Sequence, residues 1–237
     1  MTVLYFLRSV ALSFLTACIA LLLYLKTPAG WLCEAGETPR EEHAPERRCP
    51  HRKTSILLMT AATELACALS SQILRLPAPD FRELLFLSAA AIILFPAALS
   101  DADYCIIPDQ TCLAALLLAM LKDLSSSGLS GLASAISGGI LCGTMTLLAS
   151  WLGRLMSGAE SVGMGDVKLL TACGALACSE AAPGLWMTAA GSVYIGSVLS
   201  SAVWFSALLL CRKAQYGDAR PMGPWIVLST LLVLALW

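Results

Sequence analysis

Two short stretches of this chain concentrate the side chains that can do chemistry. The first runs Ser100-Asp101-Ala102-Asp103-Tyr104-Cys105-Ile106-Ile107-Pro108-Asp109, and the second runs Gly163-Met164-Gly165-Asp166-Val167-Lys168-Leu169-Leu170. Two carboxylates held close together do not both ionise readily, so one keeps a proton while the other acts as a base. Such a pair activates water and protonates a leaving amide without a metal or a nucleophilic side chain. Asp101 and Asp166 are the candidates for that pair. The sequence has neither a G-x-S-x-G elbow nor an H-E-x-x-H helix, and its two histidines, His43 and His51, fall in one polar segment. Taken singly, each stretch also has an ordinary reading. Ile-Pro-Asp suits a turn followed by a helix capped at Asp109, since Pro disfavours helix just before it and Asp caps well. That reading leaves Asp101 unexplained. G-x-G-D alone is a glycine-rich loop with an Asp cap.

Composition sets the elements that must carry these residues. Of 237 residues, 58% are apolar and 13% charged, with net charge −1 and mean hydropathy +0.77. A soluble domain carries about 25% charged residues, so these proportions exclude both a water-soluble globule and a disordered chain. No basic excess is available to bind nucleic acid by counterion release. Six of the ten cysteines (Cys18, Cys67, Cys112, Cys142, Cys173 and Cys178) sit in apolar runs, where thiols behave as small hydrophobes. Runs long enough to cross a bilayer lie near 4–25, 55–74, 83–100, 105–121, 129–151, 167–182, 185–211 and 222–237. The fourth, sixth and eighth are short, so seven is the alternative count. No ten-residue alternation of the barrel kind is visible. The expected fold is therefore all-α, a polytopic transmembrane helix bundle forming one domain over 1–237. Leu15-Thr16-Ala17-Cys18 is similar to a lipoprotein cleavage box, but the apolar run continues through Ile19 to Leu25, so the first span is read as an uncleaved anchor.

Basic residues in short loops orient such a chain. The first loop, 26–54, carries Lys26, Arg40, Arg47, Arg48, Arg52 and Lys53, and the seventh carries Arg212, Lys213 and Arg220. Odd-numbered loops are thus expected in the cytoplasm, with both termini outside. The first loop reads as a solvated connector. Cys33, His43, Cys49 and His51 do not make a convincing zinc set, because Cys49-Pro50-His51 is too tight for two of four tetrahedral ligands, and no metal is expected. Asp101 belongs to loop three and Asp166 to loop five, 65 residues apart. Two crossings return the chain to the face it left, so both carboxylates can meet at the cytoplasmic edge of the bundle. Glu64, in the second span, is expected to face the bundle interior, since an intramembrane charge is costly toward lipid.

In this order and spacing, the two stretches resemble the type IV prepilin peptidases, polytopic aspartic proteases of the GxGD type. The family pattern has one aspartate opening D-x(6)-I/L-P-D/N and a second in G-x-G-D-x-K-L. Matched residue by residue, these are Asp101 and Asp166, with Pro108, Gly163, Gly165 and Lys168 in register. Thr63-Glu64-Leu65-Ala66 is similar to a family helix with an intramembrane glutamate, and Pro221-Met222-Gly223-Pro224-Trp225 to the Pro-Phe-Gly-Pro segment before the last span. The resemblance implies a peptidase of the inner, cytoplasmic membrane that cuts the short basic leader from a prepilin or pseudopilin precursor on the cytoplasmic side. It implies no cofactor for proteolysis. Many members also N-methylate the new N-terminus with S-adenosylmethionine. Here the paired C-x-x-C of the first loop is reduced to Cys33 and Cys49, and Ser13-Phe14-Leu15 only faintly echoes the family start. Peptidase activity is expected, with S-adenosylmethionine a cofactor only where methylation is retained. The alternative is a secondary transporter using intramembrane carboxylates, although no internal repeat is visible.

Overall fold

A computed structural model describes residues 2–28, 31, 60–61, 81–157, 162–179, 185–210 and 221–236. Most of the 26–54 loop, Glu64 and the basic residues of the seventh loop lie outside the described residues. Seven helices follow in order: α1 (Thr2–Lys26), α2 (Phe81–Tyr104), α3 (Asp109–Ser126), α4 (Gly128–Ser157), α5 (Met164–Cys178), α6 (Trp186–Leu210) and α7 (Gly223–Leu236), with no strand among the described residues. Among the described residues, three stretches are long and apolar enough to cross a membrane: Arg82–Tyr104, Gly128–Met156 and Trp186–Leu210. Val10–Lys26 and Gly223–Ala235 are shorter apolar helices. The described residues are all-helical, as the expected bundle has it, and their helix lengths suit a membrane bundle.

The helix ends differ from the expected span ends for local reasons. α2 runs past residue 100 to Tyr104, so Asp101 lies in its last turn. Cys105 then adopts the left-handed conformation (φ 55°), and its N–H donates to the Asp101 carbonyl at 2.8 Å, a left-handed helix stop made without glycine. Ser100 Oγ donates to the Ile106 carbonyl at 2.6 Å and ties the turn down. The expected 105–121 span begins only at Asp109, because Pro108 occupies the cap position in extended conformation. Asp109 is the first helical residue and makes no cap with its side chain, which corrects the capping reading. α3 also continues beyond residue 121 through Lys122 and Asp123. The Lys122 ammonium lies 3.9 Å from the centre of the Phe86 ring, so its charge is accommodated on an aromatic face. Gly128, at φ 63°, makes the reversal into α4.

α5 is the central helix: ten of its fifteen residues are buried, and it packs against α3, α4, α6 and α7. Its approach to α4 is set by glycines facing cysteines. Gly138 of α4 lies against Cys178 of α5, and Gly174 of α5 lies against Cys142 of α4. Residue numbers rise on one helix as they fall on the other, so the pair is antiparallel. Cys112, Cys142, Cys173 and Cys178 are all buried as thiols, the small-hydrophobe role expected of them. Small residues of this kind let helix backbones approach closely where lipid offers no hydrophobic driving force. α1 packs on α2 and α2 on α7, which brings the last helix beside the turn that holds Asp101.

Candidate active site

The two carboxylate-bearing stretches meet at one end of the bundle. Asp101 is held at the end of α2 and is buried, 4% exposed. Asp166 lies in the first turn of α5, whose cap residue is Gly163. The Asp166 carboxyl lies within electrostatic range of Asp101 and also takes the Gly163 backbone N–H. Asp101 Oδ2 accepts the Gly223 backbone N–H at 2.6 Å, a contact spanning 122 residues. Asp166 Oδ1 is buried and finds no hydrogen-bond partner among the described residues. Both carboxyls are thus set at the same end of the bundle, Asp101 with a backbone donor and Asp166 with one oxygen unpartnered among the described residues.

The loops carrying the two aspartates are braced against each other. Lys168 Nζ donates to Asp109 Oδ1 at 2.7 Å and to Oδ2 at 2.9 Å. This joins the residue two past Asp166 to the residue next to Pro108. Ile107, 8% exposed, lies beneath Gly165. Asp103, the nearest competitor of Asp101, faces elsewhere: its Oδ2 accepts the hydroxyl of fully buried Tyr24 of α1 at 2.6 Å. Of the residues singled out in the sequence, Asp101, Asp166, Gly163, Gly165, Lys168 and Pro108 thus come together, and Glu64 lies outside the described residues. Asp109 and Gly223 were not given these parts by sequence reasoning. The signal for Asp109 was the adjacent Pro108, and for Gly223 the glycine between two prolines. No group of three metal-ligating side chains occurs among the described residues.

The glycines act mainly through space. Gly165 is helical, so it is not held by a left-handed backbone. A Cβ there would lie 3.3 Å from Ile107 Cβ, which belongs to a stiff β-branched side chain. At Gly163 the nearest atom would be Asp166 Oδ2 at 3.5 Å, an ordinary contact. Gly165→Val is therefore expected to destabilise the protein by about 1–3 kcal/mol through overpacking, and Gly163→Ala by less. Thermal unfolding of purified protein in detergent measures both; an unchanged midpoint for Gly165→Val would show that Ile107 yields freely.

Residues 88–211, which include both aspartates, match the type IV leader peptidase family. The relatives include three proteins named prepilin leader peptidase/N-methyltransferase. That of Pseudomonas putida is 28% identical over 190 residues, 80% of this chain and 62% of the relative. That of Stutzerimonas stutzeri is 30% identical over 145 residues, 61% of this chain and 46% of the relative. That of Vibrio cholerae is 31% identical over 100 residues, 42% of this chain and 36% of the relative. The aligned region thus spans between 36% and 62% of the length of these relatives. No solved structure matches the chain. With more than half of its residues matched by that family, and with both motifs inside the match, the chain belongs to the type IV leader peptidases.

Proposed function

We propose that this chain is a membrane-embedded aspartic endopeptidase that removes the short basic leader from prepilin-like precursors. The observation that carries the reading is that the stretches bearing Asp101 and Asp166 come from separate helices and meet at one end of an apolar bundle, Lys168 on Asp109 and Gly165 on Ile107. One carboxylate removes a proton from water and the other protonates the scissile amide. In this reading the chain is one polytopic domain of about eight crossings in the inner membrane, with the pair at its cytoplasmic edge. The leader would then be cut where the substrate's basic segment meets its hydrophobic helix. The names of the relatives support a prepilin substrate, and they make S-adenosylmethionine a candidate cofactor for a second, methylating activity. A transporter reading gains no support, because the acids lie at an end of the bundle and not in its middle. The test is cleavage by the purified chain in detergent of a prepilin-like substrate, read by mass spectrometry. A single cut at the leader junction is expected, and an intact substrate would overturn the reading.

The Lys168–Asp109 bridge has a modest part. Both side chains are about half exposed or more, 46% and 67%, and exposed ion pairs contribute about 0.2–1 kcal/mol. Lys168→Met and Asp109→Asn are each expected to lower turnover by no more than about fivefold. The double variant should be scarcely worse than either single one, because both remove the same contact. Additive losses in turnover assays would show that the two residues act separately.

A further inference from the structure

The two aspartates are served unequally by their surroundings. Asp101 Oδ2 accepts the Gly223 N–H at 2.6 Å, and the Met222 N–H serves the same carboxylate. Both donors belong to the amino end of α7, a fourteen-residue apolar helix. The first N–H groups of a helix have no acceptor within it, and that end carries partial positive charge. Position 223 leaves no room for a side chain: a Cβ there would lie 2.9 Å from both Asp101 Cβ and Oδ2. Glycine lets the backbone reach the carboxylate directly.

Asp166 has one backbone donor, Gly163, and a buried Oδ1 with no partner among the described residues. A buried oxygen without a donor is far more costly charged than protonated. The helices that carry the two acids act in the opposite sense: Asp166 sits in the first turn of α5, which favours its charge, and Asp101 in the last turn of α2, which disfavours it. The amino end of α7 offsets the α2 effect at Asp101. Hydrogen bonds to an ion outweigh the partial charge of a helix end, and Asp101 has one more of them. The neighbouring acids are committed elsewhere, Asp103 to Tyr24 of α1 and Asp109 to Lys168 of α5. The charge of Asp101 in turn acts on the Asp166 carboxyl, which has fewer donors to hold a charge of its own.

We propose that the amino end of α7, headed by Gly223, is the positioning element that holds Asp101 as the ionised partner, so that Asp101 is the base and Asp166 the acid. This rests on the peptidase reading above. Asp101 takes a proton from water, whose oxygen bonds to the scissile carbonyl carbon. Asp166 gives its proton to the carbonyl oxygen. As the C–N bond breaks, Asp101 passes its proton to the leaving nitrogen and Asp166 recovers one from the hydroxyl that becomes the new carboxyl carbonyl. The pair ends as it began.

The experiment measures kcat and KM against pH for the full chain and for Gly223→Ala in detergent, with a prepilin-like substrate. The activity that needs ionised Asp101 is lost as pH falls, so displacing its donors must move the acid limb upward. Gly223→Ala is expected to move that limb up by about one pH unit and to lower kcat about tenfold, with KM within about twofold. A fall in kcat with an unmoved acid limb would make Gly223 merely structural, and movement of the alkaline limb alone would reverse the two roles. Should Gly223→Ala fail to fold, dicyclohexylcarbodiimide, which attacks protonated carboxyls in apolar surroundings, decides on the unaltered protein. Label at Asp166 is expected, and label at Asp101, or none at Asp166, overturns the assignment. Failure of the unaltered protein to cut any prepilin-like substrate would count against the peptidase reading instead, and the labelling result would stand apart from it.

Discussion

Asp101→Asn and Asp166→Asn are each expected to abolish leader cleavage while leaving the protein folded and inserted. Asparagine matches aspartate in size, so the packing around Asp101, which is 4% exposed, changes little. The amide neither accepts a proton from water nor releases one to a leaving group. Loss of a positioned acid or base costs about 10²–10⁴-fold in rate, which takes turnover below detection in a gel or mass-spectrometric assay. Asp103→Asn is the control that separates chemistry from structure. Its Oδ2 accepts the Tyr24 hydroxyl at 2.6 Å, a tie between α1 and α2 that an amide oxygen can still make. That variant should lose at most about 1.5 kcal/mol of stability and keep most of its activity. Normal processing by either Asp101→Asn or Asp166→Asn would sink the paired-carboxylate assignment. A detergent melting point close to that of the unaltered protein would show that lost activity reflects chemistry and not misfolding.

What could be read from the chain, and what could not, divides by the range of the interaction. Asp101 and Asp166 stand out because carboxylates are rare in apolar runs, and the two intervening helices, α3 and α4, allow them to share a face. The structure brings their two stretches together at one end of the bundle. Apolar run length located the helices, since a helix that spans lipid needs a contiguous apolar stretch. The ends were misjudged where local stops override hydropathy. Pro108 delays α3 to Asp109, and Cys105 ends α2 in a conformation usually taken by glycine. Gly165 is helical and lies against Ile107, a contact that the glycine-rich pattern does not announce. The contacts that brace the pair could not be read at all. Lys168 meets Asp109 across 59 residues, and Gly223 meets Asp101 across 122. Neither contact has a period, and one of them is made by a backbone N–H that every residue but proline possesses.

The largest effect on stability is expected at the crossing of α4 and α5, from Gly174→Leu. A Cβ at position 174 would lie 2.7 Å from the Gly138 carbonyl oxygen and 2.9 Å from Cys142 Cβ. The carbonyl belongs to a helix backbone and Cys142 is fully buried, so neither can swing aside. The two helices must separate, and α5 is also packed against α3, α6 and α7. One added carbon in a packed core costs about 1–3 kcal/mol, and a leucine adds four. Against a total stability of about 5–15 kcal/mol, Gly174→Leu is expected to give no folded protein in detergent. Gly138→Ala tests the same crossing from the other side and in a graded way. Its Cβ would meet Cys178 Sγ most closely and the Gly174 carbonyl oxygen at 2.8 Å. Introduced alone it should lower the melting point strongly. Introduced with Cys178→Ala, which removes the sulfur, it should cost less than in the unaltered background, although the carbonyl contact persists. Cys178→Ala alone gives up a weak bond from its Sγ to the Trp186 carbonyl at 3.1 Å, a backbone contact with Ala190 and a small volume. A coupling energy near zero between positions 138 and 178 in that double-mutant cycle would show that the sulfur does not set the separation of the two helices. Asp166 lies on the same helix, so a wider crossing also displaces one member of the carboxylate pair relative to the other. Near-attack geometry tolerates a shift of about 1 Å poorly, and Gly138→Ala should therefore lose activity at temperatures where it is still folded.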